Sequence, residues 1–262
     1  MKVSVIIAHD PGRAVDLDGL KCQILDQLDC EVLIESDGSK SSARNSAAHK
    51  SKGNILVFLD DDVQLRAHFF DEILAPFNDR SVGIVGGVNL APPGVKGSEQ
   101  ISSVLMSSPF LWFRSVARYT PRGGIRESDE AEIIGCCMAV RKMAFNQAGG
   151  FPLDVIPCEE NVLIQRVKIL GWKVIYSPFA VVYHKRAAFP FGYAGKVFDY
   201  GTGRGIMMRR SMSEGFPRSL WKPSWRWLLY AAGFWIHHIS YFGGILYGYF
   251  VKRKYQERDK KK

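Results

Sequence analysis

Short runs of aliphatic and β-branched residues alternate with helical patterns through the first two-thirds of the chain. This alternation constrains the fold most strongly, because strands that alternate with helices build a mostly parallel sheet with helices packed on its faces. The predicted strands are Val3–Ala8, Glu31–Glu35, Ile55–Leu59, Val82–Val88, Ile133–Arg141, Lys173–Tyr176 and Val181–Tyr183. The predicted helices are Asp18–Gln27, Ser41–Lys50, Ala67–Pro76, Lys142–Ala148 and Glu159–Leu170. The sequence therefore predicts one α/β domain over residues 1–188.

The charge of the chain is unevenly distributed. The net charge is +9, but residues 1–184 hold 19 Lys and Arg against 22 Asp and Glu, whereas residues 185–262 hold 16 against 4. The first part is therefore mildly acidic, and the basic charge lies in the last third. Such an asymmetry indicates a basic region, residues 189–262, that meets an anionic surface, either phospholipid or nucleic acid.

An aromatic, apolar segment lies within this basic region. Trp227–Val251 contains no Asp, Glu, Lys or Arg, and Lys252-Arg253-Lys254 follows it directly. Its length would permit a membrane span, but its histidines, glycines and scattered aromatic residues fit one or two interfacial amphipathic helices better. Two alternatives stay open for this segment. It could span the membrane, or it could form a helix that packs on the domain or on a partner. We expect Trp221–Lys262 to attach the chain to a membrane surface.

The cysteines and the first residues bear on the cellular compartment. The chain has five cysteines and no CxxC pair, and Cys136 and Cys137 are adjacent. This pattern suits neither a disulfide framework nor a zinc site, so we expect free thiols in a reducing compartment. The apolar run Val3–Ala8 is too short for the core of a signal peptide. The expected membrane surface is therefore the cytoplasmic face.

Three adjacent carboxylates follow the third predicted strand. The apolar pair Phe58-Leu59 leads straight into Asp60, Asp61 and Asp62. Three neighbouring anions repel one another unless a cation or many hydrogen bonds neutralise them. The carboxyl end of a strand in an open α/β sheet faces the ligand crevice, and oxygen ligands there suit Mg²⁺ or Mn²⁺ bound to a diphosphate. The alternative is an Asp-rich turn that caps the next helix.

Further polar residues stand at the ends of other predicted elements. Asp37 follows the second strand, where it would accept hydrogen bonds from a base or ribose, or only form a turn. Glu159 and Glu160 open a helix, where a carboxylate pair could supply a general base, or only interact with the helix dipole. His184 ends the last strand, and a neutral imidazole can bind a divalent metal, although a lone His is more often structural.

Two less regular stretches contain candidate contacts. Residues 92–129 are broken by Pro and Gly and mix aromatic residues with arginines, among them Trp112 and Arg122. We interpret this stretch as an excursion over the active face that contacts an acceptor. Arg204 lies in the Gly-rich run 200–205, which matches neither a P-loop nor a dinucleotide fingerprint. Arg204 is a candidate diphosphate contact, and a flexible loop is the alternative for this run.

Several short motifs occur in a fixed order between Val3 and about His184. They are Val3-Ser4-Val5-Ile6-Ile7, Asp37-Gly38-Ser39, Ala43-Arg44-Asn45, Gly53, Phe58-Leu59-Asp60-Asp61-Asp62, Gly135 with Met138 and Arg141, Gly149-Gly150-Phe151, Glu159-Glu160 with Leu163 and Arg166, Gly171-Trp172-Lys173 and Val182-Tyr183-His184. Their joint order and spacing resemble the family 2 glycosyltransferases of the GT-A fold. The resemblance implies a Rossmann-like, mostly parallel central sheet flanked by helices, followed here by the helical, aromatic-rich extension.

The resemblance also implies roles for individual residues. Ala8, His9, Asp10, Asp37, Arg44, Asp60 and Asp61 would bind the nucleotide-sugar, with Asp37 on the nucleobase, which is most often uracil in this family. Asp62 and His184 would bind Mn²⁺ or Mg²⁺. We also place Gly135 and Cys136, together with Trp112 and Arg122, in the acceptor region. Glu160 would be the catalytic base, with Glu159 as second choice.

Two departures from the family pattern affect these roles. Glu160 stands where the family usually has an Asp, and a Glu reaches about one methylene further. The segment His9-Asp10-Pro11-Gly12 stands in place of the usual Tyr-Asn.

The resemblance implies a metal-dependent, inverting hexosyl- or N-acetylhexosaminyl-transferase. Its donor would be a nucleotide-sugar, expected to be a UDP-sugar, and its acceptor a lipid-linked glycan or polysaccharide precursor. A nucleotidyltransferase also uses clustered Asp with Mg²⁺, but Pro11-Gly12-Arg13 is a poor phosphate loop. A nucleic-acid-binding protein would use Arg209, Arg210 and the lysine tail, but these flank an aromatic apolar segment, so we expect no nucleic-acid partner. The individual sugar, the acceptor and the oligomeric state stay open.

Overall fold

The computed structural model of the protein describes residues 1–155, 157–214 and 232–250. The chain divides into two compact units. Met1–Leu153 and Glu160–Arg186 form the first unit, and Asp154–Glu159 with the chain from Ala187 onward forms the second. The predicted domain boundary at residue 188 stays a prediction.

A mixed sheet forms the centre of the first unit. Its strands are β1 (Val3–Ala8), β2 (Glu31–Glu35), β3 (Ile55–Asp60), β4 (Val63–Leu65), β5 (Val82–Leu90), β6 (Arg126–Glu127), β7 (Cys137–Arg141) and β8 (Lys173–His184). The order is β2-β1-β3-β7-β5-β8-β4, with β6 also paired to β8. The pairings give β1, β2, β3, β5 and β8 one direction and β4, β6 and β7 the other. The predicted α/β class with a mostly parallel sheet is therefore confirmed.

Helices flank this sheet in the first unit. They are α1 (Leu17–Leu25), α2 (Lys40–Lys50), α3 (Phe69–Leu74), α4 (Gly97–Met106), α5 (Pro109–Trp112), α6 (Lys142–Gln147) and α7 (Glu159–Ile169), with 3₁₀ turns at Ala75–Asn78 and Phe113–Arg118. Helix α2 begins where the hydroxyl of Ser39 accepts a hydrogen bond from the Ser42 N–H at 3.2 Å. Such an N-cap satisfies a backbone donor that the first helical turn leaves without a partner.

The main core lies between the sheet and three helices. Helix α2 contributes alanines to it, α6 contributes Phe145, and α7 contributes Leu163 and Val167. These side chains pack on buried strand residues such as Phe58, whose ring lies 5.6 Å from Phe145 and 5.0 Å from Phe151 between centroids. Because the side chains of β3 are tightly packed in this core, the carboxyl end of the strand and the aspartates that follow have fixed positions.

Several predicted boundaries differ from the structure. The two strands expected at 173–176 and 181–183 are one continuous strand, β8, paired with β5 along most of its length. Strand β7 begins at Cys137 and not at Ile133, because Gly135 and Cys136 form a turn before it. The irregular excursion at 92–129 contains α4, α5 and β6, which had not been predicted.

Within its described residues, the second unit contains the helices α8 (Phe191–Glu214) and α9 (Ala232–Phe250). The flexible loop considered for residues 200–205 is wrong, since this run lies inside α8. The close approach of the two helices explains a glycine there. A Cβ added to Gly201 would lie 2.0 Å from the carbonyl oxygen of Tyr241 in α9, so that position accepts no larger residue without a shift.

The aromatic extension is described only in part. Of the predicted membrane-surface segment Trp221–Lys262, residues 221–231 and 251–262 lie outside the described residues. Among the helices that are described, none combines the length and the apolar character needed to cross a bilayer.

Candidate functional site

The aspartate run and His184 are brought together by the sheet. The carboxyl end of β1 lies beside that of β3, with Ala8 opposite Asp60. The chain then enters β4, which pairs antiparallel with β8 so that Val63 lies opposite His184. This register places the imidazole beside Asp62, one residue before Val63.

Asp60, Asp62 and His184 form a group that could hold a metal ion. Each offers one ligand atom, and these atoms all lie within 4.8 Å of one another. Nε2 of His184 lies 3.0 Å from Oδ1 of Asp62 and 3.9 Å from Oδ2 of Asp60. The two predicted ligands therefore lie together, and Asp60, which was expected to bind the nucleotide, joins them.

The orientation of the His184 ring suits a cation at this position. Its Nδ1 lies 2.7 Å from the carbonyl oxygen of Lys185, which can only accept a hydrogen bond, so Nδ1 holds the proton. Without an ion, a protonated imidazole can donate from Nε2 to Asp62, whereas in a neutral imidazole Nε2 is a lone pair that can bind a metal ion. Although this nitrogen is 3.0 Å away, Oδ1 of Asp62 is buried without a well-formed hydrogen bond among the described residues. A divalent ion such as Mn²⁺ or Mg²⁺ would satisfy both groups.

The other oxygen of Asp62 faces Arg13. Nη2 of Arg13 lies 2.5 Å from Oδ2 of Asp62. Burial alone would raise the pKa of the Asp62 carboxyl, but the contacts with His184 and Arg13 hold that pKa well below its usual range. Asp62 is therefore ionised, with one oxygen on Arg13 and the other toward His184.

Asp61 contacts the loop that follows β1. Its side chain is buried, with only 2% of the residue exposed. Oδ2 lies 2.9 Å from Nδ1 of His9 and accepts a hydrogen bond from the Asp10 N–H at 3.2 Å. Oδ1 lies 3.5 Å from Nη1 of Arg13. In this structure Asp61 therefore orients His9 and Asp10, and its predicted contact with the nucleotide stays a prediction.

Asp60 is paired with two cations from α2. Arg44, itself buried, donates to Oδ1 of Asp60 at 2.8 Å, and Nζ of Lys40 lies 3.5 Å from Oδ2. Burial would raise the pKa of Asp60, but Lys40, Arg44 and His184 together lower it. The motif residue Arg44 thus fixes a carboxylate of the metal group, a role that its predicted place among the nucleotide-binding residues did not include.

Glu160 lies in the first turn of α7 beside the turn that precedes β7. Its side chain is buried and packs against Gly135, where an added Cβ would lie 3.4 Å from Cβ of Glu160. Burial, with the charges of Asp60 and Glu160 nearby, raises the pKa of the Cys136 thiol to about 12. The predicted base and the predicted acceptor residues Gly135 and Cys136 are therefore neighbours. Glu159 is the first residue of α7.

The remaining predicted site residues are more dispersed. Asp37 is exposed in the turn after β2, and Arg122 is exposed. Trp112 is largely buried, with its ring edge-to-face on Tyr119 at 5.5 Å. Arg204 lies in α8 of the second unit. Their predicted roles stay predictions.

Sequence reasoning missed two cations that contact the aspartates, Arg13 and Lys40. Both come from loop or helix positions whose approach to the aspartates depends on tertiary structure. The one local signal for Arg13 was Pro11-Gly12, a turn that directs the following residue back toward β1.

Comparisons with known proteins agree with this arrangement. Residues 22–149 match the sequence model of the family described as Glycosyl transferase family 2. A curated relative, the uncharacterized protein y4gI of Sinorhizobium fredii, is 25% identical over 158 residues, which are 56% of this chain and 17% of that protein. The chain therefore spans about a sixth of the length of the curated relative that it matches.

Two solved structures are similar. GalNAc-T7 with UDP, GalNAc and Mn²⁺ has a TM-score of 0.51 at 14% identity, covering 82% of this chain and 51% of that chain. The mannosyltransferase PcManGT from Pyrobaculum calidifontis, in complex with GDP-Man and Mn²⁺, has a TM-score of 0.49 at 17% identity, covering 92% and 69%. The similarity to GalNAc-T7 supports the assignment of the fold.

Proposed function

The chain carries a family 2 glycosyltransferase domain of the GT-A fold, and from this premise we propose that it transfers a sugar from a nucleotide-sugar to an acceptor hydroxyl. The single observation that carries the proposal is the group of Asp60, Asp62 and His184 at one edge of the sheet, with Glu160 beside Gly135 in the turn that precedes β7. This arrangement unites a cation site for a diphosphate leaving group with a carboxylate that can accept a proton.

The proposed reaction is a single displacement with inversion. Glu160 takes the proton of the acceptor hydroxyl as that oxygen attacks the anomeric carbon, and the bond to the nucleoside diphosphate breaks. The observations that support Glu160 in this role are its burial and its position against Gly135, which carries no side chain. Oxocarbenium-like charge develops on the sugar during the transfer.

The carboxylates and His184 would hold Mn²⁺ or Mg²⁺ as ligands. When bound, the ion supplies positive charge that stabilises the leaving diphosphate. Arg44 and Lys40 keep Asp60 ionised, and Arg13 and His184 keep Asp62 ionised, so both ligands are ready at neutral pH. Asp37 is the proposed nucleobase contact, and a UDP-sugar is the proposed donor. GalNAc-T7, which shares the fold, holds UDP and Mn²⁺.

The proposed acceptor is a lipid-linked glycan or polysaccharide precursor at an anionic membrane surface. The support comes from α9, which contains no Asp, Glu, Lys or Arg. Its Ile239, Phe242 and Leu246 share one face and are 65%, 51% and 43% exposed. The basic run Lys252-Arg253-Lys254 follows this helix in the sequence, and basic residues beside an apolar face are typical of interfacial helices.

The reaction is tested with a panel of UDP-, GDP- and dTDP-sugars in the presence of Mn²⁺, with release of the nucleoside diphosphate as the readout. We expect release from at least one donor and its loss in Asp62→Asn. A nucleotidyltransferase would release no nucleoside diphosphate from this panel and would form pyrophosphate only when given a nucleoside triphosphate and a sugar phosphate. A nucleic-acid-binding protein would release nothing in either assay. Absence of release across the panel, with and without a polyprenyl-linked acceptor, would contradict the proposal.

Membrane attachment is tested by co-sedimentation with vesicles of phosphatidylcholine alone or with phosphatidylglycerol added. We expect binding to the anionic vesicles and its loss in the triple variant Ile239→Ser/Phe242→Ser/Leu246→Ser. Ile101 and Val104 on α4 are also exposed and provide the matched control, Ile101→Ser/Val104→Ser. If both variants sediment like the unmodified chain, α9 is not the attachment face.

A further inference from the structure

The loop after β1 has a defined conformation that places Arg13. The Gly12 N–H donates to Oδ1 of Asp10 at 3.0 Å, and the Arg13 N–H donates to the Asp10 carbonyl at 2.9 Å. The Asp10 N–H is itself bound to Asp61, so the turn is fastened to the end of β3. Asp10, Pro11 and Gly12 therefore form a tight turn that directs Arg13 back over the aspartates.

The guanidinium of Arg13 lies on two carboxylates. It contacts Oδ2 of Asp62 at 2.5 Å and Oδ1 of Asp61 at 3.5 Å. Although it makes these contacts, 45% of the side chain is exposed. Arg13 thus has N–H groups on the carboxylates and a surface that a ligand can reach.

Arg13 also belongs to the local charge balance. Asp60 has Arg44 and Lys40, and Asp61 has His9, whereas Asp62 has Arg13 on one oxygen and His184 on the other. A divalent ion on Asp62 would lie close to the guanidinium, and the two positive charges repel. A diphosphate adds negative charge at this place, and a planar guanidinium binds phosphate oxygens well.

We propose that Arg13 has two successive partners: it pairs with Asp62 before the divalent ion binds, and it contacts the donor diphosphate afterwards. The proposal rests on the proposed function and adds a residue that the family resemblance does not assign. It also gives a physical reason for the Asp10-Pro11-Gly12 turn, which stands where the family usually has Tyr-Asn.

The two roles predict opposite effects of one substitution. In Arg13→Gln the competing charge is gone, so Mn²⁺ alone should bind at least about threefold more tightly. The nucleoside diphosphate loses a charged hydrogen-bond donor, so its affinity in the presence of Mn²⁺ should fall about tenfold or more. A residue that only supports the fold would weaken both or neither.

The experiment measures Mn²⁺ binding by electron paramagnetic resonance and the binding of UDP, GDP and dTDP by calorimetry at saturating Mn²⁺. Arg13→Lys keeps the charge without the planar fork, so it should keep the Mn²⁺ affinity of the unmodified chain and lose part of the nucleotide affinity. Lys173→Gln is the matched control, since Lys173 is 44% exposed, pairs with Asp79 at 2.9 Å and begins β8 at the end opposite His184. It should change neither affinity.

The outcomes separate the inference from the function on which it rests. If Arg13→Gln weakens Mn²⁺ binding, or leaves nucleotide binding unchanged, the inference is overturned while Asp62→Asn still reports on the metal site. If the unmodified chain binds neither Mn²⁺ nor any of the three nucleotides, both the inference and the proposed function are wrong. Circular dichroism of each variant verifies that the fold is retained.

Discussion

Asn45 holds the backbone of Phe151 by two hydrogen bonds across 106 positions of the chain. Its Nδ2 donates to the Phe151 carbonyl at 2.8 Å, and its Oδ1 accepts from the Phe151 N–H at 2.9 Å. The neighbouring Arg44 lies over the Phe151 ring at 5.3 Å and donates to Asp60. One turn of α2 therefore joins a carboxylate of the metal group to the Gly149-Gly150-Phe151 turn.

The first prediction concerns this two-point contact. Asn45→Ala should lower the free energy of unfolding by about 2–3 kcal/mol, because two backbone groups of Phe151 lose their partner. Asn45→Asp keeps an acceptor for the Phe151 N–H, so its free energy of unfolding should lie between those of the unmodified chain and of Asn45→Ala. Urea denaturation measures both, with the exposed Asn146→Ala as control. An Asn45→Ala midpoint equal to that of the control would show that the contact contributes nothing.

The second prediction concerns Gly150, which faces the same side chain. Its φ is +69°, and an added Cβ would lie 2.7 Å from Oδ1 of Asn45. Gly150→Ala should therefore cost about 1–3 kcal/mol through backbone strain and this clash. In the double variant with Asn45→Ala the clash is gone, so the combined loss should be smaller than the sum of the two. Strictly additive losses in urea denaturation would mean that the side chain at 45 does not restrict position 150.

The third prediction separates the two glutamates at the start of α7. Glu160→Gln removes the proposed base and should lower kcat by about 10²–10⁴-fold, while the affinity for the nucleoside diphosphate stays the same. Glu159→Gln should have a much smaller effect. Single-turnover transfer and calorimetry with the same nucleotide measure the two quantities.

Two results would contradict this assignment. Near-normal turnover in Glu160→Gln would exclude Glu160 as the base. A larger loss in Glu159→Gln would transfer the role to its neighbour. The exposed Glu127→Gln serves as a control for the loss of a carboxylate elsewhere.

The part of the site that the sequence predicted follows from the geometry of sheets. Asp62 and His184 lie 122 positions apart, yet both follow or end predicted strands. The carboxyl ends of parallel strands meet at one edge, so their approach could be expected before the structure was known. The register of β4 with β8 could not be expected, because three residues after an aspartate run give no periodic signal.

The features that the sequence did not predict depend on tertiary contacts or on close helix packing at a glycine. Arg13 and Lys40 reach the aspartates across folded elements, and apart from the Pro11-Gly12 turn before Arg13 the sequence gives no sign of that approach. The extension was expected to be helical, but a loop was considered for residues 200–205 because glycines and aromatic residues in the first half of α8 contradict helix propensity. Its Gly201 is explained only by the neighbouring α9 backbone, so packing overrides propensity at this position.

The last prediction concerns pH and the helices of the second unit. His237 in α9 lies 2.9 Å from the hydroxyl of Tyr193 in α8 and next to His238 and Tyr241. Burial, and then the charge of His238, lowers the pKa of His237 to about 3. Because this pKa lies below the unfolded value of about 6.5, the folded form excludes a proton that the unfolded form accepts. The contribution of the neutral His237 to the stability of the folded form is fully present above pH 6.5 and is lost as the pH falls toward 3.

This loss should appear as faster amide hydrogen exchange in α9, after correction for the intrinsic rate. The contribution of His237 to the slope is expected to reach up to about 1.4 kcal/mol per pH unit between pH 6 and 4. His237→Phe cannot take up the proton and should have a shallower slope, with the remainder due to His238, whose pKa burial also lowers. The exposed His49→Phe should keep the full slope. Equal slopes in the unmodified chain and His237→Phe would mean that protonation of His237 does not oppose the packing of α9 on α8.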